Sequence, residues 1–389
     1  EIVKDVDMVA SVARDGDRAA VMDALVAVPQ VVSITGKGDT KTSVILRPGI
    51  ALDLRVVTDD EYPSALHHFT GSKEHNIALR GRAQREGMKI NEYGLFRGDE
   101  RIPVADEREF YRALGMHYIE PEMREERGEI ELALQGELPT LVTEADLRGI
   151  LHVHSTWSDG QVSIREMAEA TLALGKSYLG ICDHSKTAAY ANGLSEEAVR
   201  RQHEEIDRLN EEYAGRLRLL KGTECDILKD GALDYDDETL ASFDFVVASI
   251  HSHFQLSPAE QTQRLIRAME NPHTSILGHP TGRLLLQRDG YSPDLDAVID
   301  RAGELGVAIE LNADPHRLDL DWRWHRRAVE HGVQIPINPD AHTPAGLANI
   351  RYGVGIARKG WLTAADVLNA RSLDDLLVYF ATQRRRNGV

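Results

Sequence analysis

The sequence predicts an α/β chain in two parts: a distorted seven-stranded (β/α)7 barrel over residues 149–389 and a small α+β unit over residues 1–119. Three observations carry that expectation. Short apolar runs alternate with helical patterns through the larger part, as parallel strands covered by helices require. Each run ends at or near a polar or ionisable residue, so a functional rim is expected at one end of the sheet. The first 119 residues instead show a hairpin pattern, and a Glu- and Arg-rich stretch at 120–148 reads as a charged connector.

The small part begins with a strand over residues 2–9, in which Ile2, Val6 and Met8 suit a buried face, followed by a helix around residues 17–28. The runs TSVILRP and IALDLRVV, separated by Pro48-Gly49, read as a hairpin. Seven runs then mark the larger part: GILHVH (149–154), SYLGICDH (177–184), RLLKGTE (218–224), FVVASIH (245–251), TSILGH (274–279), VAIELN (307–312) and QIPINPD (334–340). Their continuous apolar character suits strands buried on both faces. Ser163 with Glu166, and Ser257 with Glu260, spell capping boxes at helix starts, while Gly175, Gly306 and Gly332 supply helix stops. Seven such units make a closed or nearly closed barrel, one strand short of the eight-stranded form.

His152 and His154 stand two apart on the first run, so their side chains share a face that can hold a metal ion. Alone, His-x-His is a weak signal. Asp159 follows in a Ser-Asp-Gly turn just beyond that strand. His184, Glu224, His251, His279 and the pair Asp340 and His342 then fall at or past the ends of other runs, so six of the seven runs deliver a ligand-type residue to one rim. Any single one of these is more often a satisfied core or loop residue, but independent placement would not favour one rim. Six histidines and three carboxylates exceed what one ion needs and suit two or three. With no thiolate among them, Zn²⁺ or Mn²⁺ is favoured over Mg²⁺. Arg283 and Arg317 follow barrel strands closely, where a guanidinium either grips phosphate oxygens or is merely solvated or ion-paired. His203, His253 and His316 stay outside the metal set.

On these residues the chain resembles the PHP (polymerase and histidinol phosphatase) family. HVHSTWSDG, CDHS, GTECDIL, SIHSHF, LGHPTGR and PDAHTP are similar to its successive motifs, across the whole of 149–389. The resemblance implies a seven-stranded barrel with three Mn²⁺ or Zn²⁺ ions held by His152, His154, Asp159, His184, Glu224, His251, His279, Asp340 and His342. Ions so placed lower the pKa of a water and stabilise charge on attacking and leaving oxygens, which implies phosphate-ester hydrolysis.

In the small part Asp5 and Asp7 share one face of the first strand, and Asp53 lies in the second hairpin run. Carboxylates on adjacent strands hold two Mg²⁺ ions for nucleotidyl transfer in many enzymes, although two aspartates alone are usually surface residues. LDLRVV, HFTGSKEHN and NEYGLF, in that order, resemble the palm and thumb of family X DNA polymerases over roughly 1–120. The resemblance implies that Asp5, Asp7 and Asp53 are polymerase carboxylates for Mg²⁺ or Mn²⁺. It further implies that Phe69, Thr70 and Gly71 line the incoming sugar and that Asn76 and Arg80 approach the base pair; Arg55, on the same strand face as Asp53, is placed to support it. Two departures stand out. Lys4 occupies a position usually taken by Gly, and the upstream elements that cradle a triphosphate are not in this sequence. The chain therefore reads as an amino-terminally truncated piece of a longer protein, with dNTP binding and polymerisation expected only in the full-length parent.

Bulk properties bound these expectations. At 389 residues and 42% hydrophobic content the chain can bury two cores. Its net charge of −18 argues against a general basic surface for nucleic acid, so contact with DNA, at 3′ ends, gaps or nicks, is expected to be local or metal-assisted. Two unpaired cysteines, Cys182 and Cys225, and the lack of a long apolar run point to a cytoplasmic protein with no membrane partner. The expected function is a repair-type polymerase family member whose barrel acts as a 3′–5′ exonuclease. The alternatives are a small-molecule phosphomonoesterase and a non-catalytic platform.

Overall fold

The computed structural model describes residues 2–388 in two compact units, one spanning Ile2–Pro139 and the other beginning at Thr140. In the smaller unit, β1 (Asp5–Val12), α1 (Arg18–Val26), β2 (Val31–Lys37), β3 (Lys41–Leu46) and β4 (Ala51–Thr58) build a sheet of order β1-β4-β3-β2. The β3–β4 hairpin forms as expected, with Ile45 opposite Ala51, whereas β1 runs parallel to β4. Leu52, Leu54 and Val56 alternate into the core with Val12, Met22 and Val44. The first strand differs from its sequence reading. It starts at Asp5, and Ile2 and Met8 are 48% and 47% exposed, because β1 is an edge strand whose expected inner face is only partly covered.

The smaller unit continues with α2 (Tyr62–Thr70), α3 (Lys73–Arg85), a three-stranded antiparallel sheet of β5 (Met88–Asn91), β6 (Gly94–Arg97) and β7 (Glu100–Ile102), α4 (Glu107–Ala113) and α5 (Glu129–Gln135). Residues 120–139, expected as a connector, fold into this unit. Their charges are buried in pairs rather than solvated: Arg124 donates to Glu107 at 2.6 Å and to the Ile119 carbonyl, and Glu129 meets His75 Nδ1 at 2.6 Å.

The larger unit holds a curled parallel sheet in sequence order, β8 (Gly149–Val153), β9 (Tyr178–Ile181), β10 (Arg218–Asp226), β11 (Phe245–Ser249), β12 (Ile276–Leu277) and β13 (Ala308–Ile309). A separate parallel pair, β14 (Leu311–Asn312) and β15 (Ile337–Asn338), continues from β13. Val153 and Ala341 form a parallel bridge, with His154 N donating to the Ala341 carbonyl at 2.9 Å, so the chain after β15 returns to β8. Helices α6 (Ile164–Ala173), α7 (Glu196–Glu212), α8 (Asp237–Ala241), α9 (Pro258–Met269), α10 (Leu295–Leu305), α11 (His325–Glu330), α12 (Ile350–Lys359) and α13 (Leu373–Arg386) intervene or follow. Both predicted capping boxes are present, at Ser163 and Ser257.

Alternate strand residues divide between two cores, Val246 and Ala248 with the helices and Val247 with Leu151, Cys182 and Leu220. Leu376 and Phe380 of α13 join the latter core, where Phe380 stacks on Phe245 at 5.3 Å. Phe245 and Tyr178 begin their strands, so α13 closes the amino-terminal end of the sheet. The carboxyl-terminal end stays open for the rim.

Candidate metal centre

Glu224, near the end of β10, is the hub of that rim. Its Oε1 lies 2.8 Å from His279 Nε2, 3.2 Å from His251 Nε2 and 3.4 Å from His152 Nε2, and its Oε2 lies 3.0 Å from His184 Nδ1 and 3.7 Å from His154 Nε2. Asp340 Oδ1 reaches His154 Nε2 at 3.1 Å, and Asp159 Oδ1 reaches His342 Nε2 at 3.3 Å. All nine donors expected from the sequence are therefore brought together. They form three overlapping groups, each within 4.8 Å: His154, Asp159, His184 and His342; His152, His154 and Asp340; His184, Glu224 and His251. His279 joins them through Glu224.

Local backbone makes this possible. His152 and Asp340 have φ of 73° and 51°, conformations that side-chain-bearing residues seldom adopt and that cluster where function demands a particular aim. The fold also orients the rings. Glu310 Oε1 accepts from His152 Nδ1 at 2.6 Å, and Asp226 Oδ1 stands 2.5 Å from His251 Nδ1. Both rings thereby turn Nε2 toward the centre, as imidazole ligands held by a carboxylate do. Glu310 also receives the His279 backbone N–H at 2.9 Å and Asn338 Nδ2 at 3.0 Å. Asp183 anchors the loop after β8, accepting from Ser155 N and Oγ, Ser158 Oγ and Gln202 Nε2.

The centre is strongly polarised. Burial opposes ionisation of Glu224, but His251, His152 and His184 hold its carboxyl well below the usual range, and Asp340 is likewise held low against burial by His152 and His154. Burial, aided by His184, pushes His154 down to about 4. For His251 burial is outweighed by Glu224 and Asp226, which lift it to about 10, and for His342 Asp159 and Asp340 do the same, to about 9. The donor set fits divalent cations: it is all nitrogen and oxygen, and buried His152 Nε2, His154 Nδ1 and His279 Nδ1 have no hydrogen-bond partner.

The two arginines separate. Arg317 is largely buried, with Nε 3.5 Å from Asp340 Oδ2, so its guanidinium faces the centre. Arg283 donates instead to the carbonyls of Arg317 (2.8 Å) and Leu318 and to Asp321 (3.0 Å), which favours the ion-paired alternative and makes it a brace for the segment bearing Arg317. Sequence reasoning passed over Glu310, Asp226 and Asp183. The signal was present, since VAIELN, the one run assigned no donor, carries a glutamate inside an apolar strand, where an unpaired charge would be costly.

In the smaller unit, register places Asp7 beside Asp53 and Asp5 beside Ala51. Asp5 and Asp7 are exposed, and Asp53 pairs with Lys41 Nζ at 2.6 Å. Hydrogen bonds from Lys41 and Ser43 lower the Asp53 carboxyl. Phe69 lies under Arg55, with the guanidinium 5.5 Å from the ring, and Thr70 ends α2. Gly71 follows at φ 75°, which only glycine adopts without strain. Asn76 donates to the His68 carbonyl at 2.8 Å and Arg80 meets His68 Nδ1 at 2.7 Å, so both are presently used within the fold.

Residues 65–125 match the family model for the DNA polymerase beta thumb, and residues 151–324 match that for the PHP domain. The chain is 46% identical, over 97% of its length, to a Bacillus subtilis (strain 168) protein named DNA polymerase/3'-5' exonuclease PolX, and spans 66% of that protein. Over 61% of its length it is 27% identical to a probable phosphatase of Syntrophotalea carbinolica, covering 96% of that protein. Over 19% of its length it is 36% identical to the repair DNA polymerase X of African swine fever virus, covering 43% of it. No described helix is long and apolar enough to cross a membrane. The chain belongs to the bacterial family X DNA polymerases that carry a PHP domain.

Proposed function

We propose that the larger unit, residues 149–389, is a distorted seven-stranded barrel that hydrolyses phosphodiesters at DNA 3′ ends, a metal-dependent 3′–5′ exonuclease serving repair and gap filling in the cytoplasm. The observation that carries this reading is the convergence of nine nitrogen and oxygen donors, with Glu224 as their hub, at the open end of the sheet. Three Mn²⁺ or Zn²⁺ ions held by His152, His154, Asp159, His184, Glu224, His251, His279, Asp340 and His342 would supply Lewis acidity and charge neutralisation for displacement at phosphorus. Arg317 takes non-bridging phosphate oxygens, Glu310 and Asp226 fix the rings of His152 and His251, and Asp183 holds the loop bearing Asp159. In the smaller unit Asp5, Asp7 and Asp53 serve nucleotidyl transfer with Mg²⁺ or Mn²⁺ and dNTP in a longer parent protein, with Arg55, Phe69, Thr70, Gly71, Asn76 and Arg80 near the nucleotide and DNA.

A second reading, a small-molecule phosphomonoesterase, draws support from the likeness to the probable phosphatase. One experiment separates them: Mn²⁺-dependent digestion of a 5′-labelled primer by this chain and by its Asp340→Ala/His342→Ala variant, beside histidinol phosphate. A 3′-shortening ladder lost in the variant is expected. Phosphate release from the small ester with the DNA intact would replace the exonuclease with the phosphatase.

A further inference from the structure

At the mouth of the metal centre stands a tyrosine that no hydrogen bond or ion pair of the centre accounts for. Tyr190 is 68% exposed, yet its ring centroid lies 6.1 Å from that of His184 and 6.3 Å from that of His251. Both distances are in the range at which aromatic rings interact. An exposed tyrosine is ordinary in itself. This one is different because the loop that carries it is built and anchored.

Ala188 and Ala191 on either side are buried, at 0% and 1% exposure. Thr187 donates its N–H to Asp234 at 2.8 Å and its hydroxyl to Asp226 Oδ2 at 3.1 Å, the same carboxylate whose other oxygen holds His251. Leu194 N–H returns to the His184 carbonyl at 2.8 Å. A Cβ at Gly193 would come 1.9 Å from the Ser185 carbonyl, so only glycine lets the loop close this tightly. The phenol lies within electrostatic reach of Asp159, Glu224, Asp226 and Arg317. The ring is therefore fixed against the candidate ligands on one side and bare on the other.

We propose that Tyr190 is the stacking platform for the nucleobase adjoining the phosphodiester at this centre, and so sets a preference for nucleic-acid ends over base-free esters. The inference rests on the hydrolase reading above. Every base offers a π face, so such a platform is tolerant of sequence, and a tyrosine loses little conformational freedom when it is used. The acidic surface of the chain makes the platform useful, because stacking adds affinity that a basic groove would otherwise supply.

The test is a cycle on the Mn²⁺-loaded full chain. Tyr190→Ala and Tyr190→Phe are assayed on a 5′-labelled oligonucleotide with a normal 3′ end and on one ending in a tetrahydrofuran abasic residue, with bound Mn²⁺ measured for each protein. Stacking of this kind corresponds to about a 5- to 150-fold rise in KM for Tyr190→Ala on the normal end, with kcat and Mn²⁺ content little changed. Tyr190→Phe should keep the low KM, and the abasic end should raise KM for the parent but add nothing further in Tyr190→Ala. An equal effect of Tyr190→Ala on both ends, or no effect on either, overturns the proposal. Failure of the parent chain to shorten either oligonucleotide overturns the hydrolase reading itself, and the platform with it.

Discussion

The two units place carboxylates on parallel strands in opposite ways. In the larger unit the donors gather at one rim of the curled sheet, with His152 and His154 at 0% exposure and Glu224 and His279 at 1%. Two of the rings are aimed by a carboxylate in a further layer, Glu310 behind His152 and Asp226 behind His251. In the smaller unit Asp5 and Asp7 project from an edge strand into solvent, and Asp53 is neutralised by Lys41. Among the described residues, the clusters of donors within 4.8 Å all belong to the larger unit. A ring of buried, mutually oriented donors is organised before a cation arrives, whereas exposed carboxylates on an open sheet depend on the cation and substrate to assemble them.

That contrast can be broken or sharpened by measurement. The largest effect is expected for Glu224→Ala, which removes the hub of five histidines and should lower metal affinity by more than about 100-fold, beyond the effect of losing an outer partner. Elemental analysis after desalting checks this, and retained stoichiometric metal would contradict a preorganised centre. Next, Mn²⁺ at 100 times its dissociation constant should raise the stability of the larger unit by about 2.7 kcal/mol through linkage, leaving the smaller unit's transition in place. Two-transition calorimetry with and without chelator reports it, and an equal shift in both transitions would erase the distinction. Glu310→Gln should cost roughly 10- to 100-fold in metal affinity with the fold retained, because His152 loses its orienting charge. Competition titration against a chromophoric chelator measures that loss. The smallest effect is expected for Lys41→Met. Asp53 is held below its ordinary value chiefly by the Lys41 hydrogen bond, so removing the ammonium should move its titration upward. Carboxyl NMR against pH records the shift, and an unmoved Asp53 would mean that Lys41 does not neutralise it.

Much of the larger unit was legible in its residues. The capping boxes at Ser163 and Ser257 form because a Ser and a Glu three residues apart satisfy their own helix terminus, with no help from elsewhere. The rim was legible because strands end where apolar runs stop, and the donors stand at those stops. The reading failed where burial depends on what lies across the sheet. Period-2 alternation marked Ile2 and Met8 as inward, but an edge strand has no neighbour to cover that face. The Glu- and Arg-rich stretch read as a charged connector, yet Arg124 is fully buried, because its partner Glu107 lies in α4, which tertiary folding alone brings within reach.

The sequence by itself determined the donor types, their order along the chain and the strand ends that carry them, since these follow from local periodicity and side-chain chemistry. Only the tertiary structure decided which donors share an ion-sized space, that Glu310 completes the one run with no assigned donor, and that Arg317 faces the centre while Arg283 braces it. Those outcomes depend on contacts such as His152 with Glu310, 158 residues apart, and no local rule of propensity or spacing reaches that far.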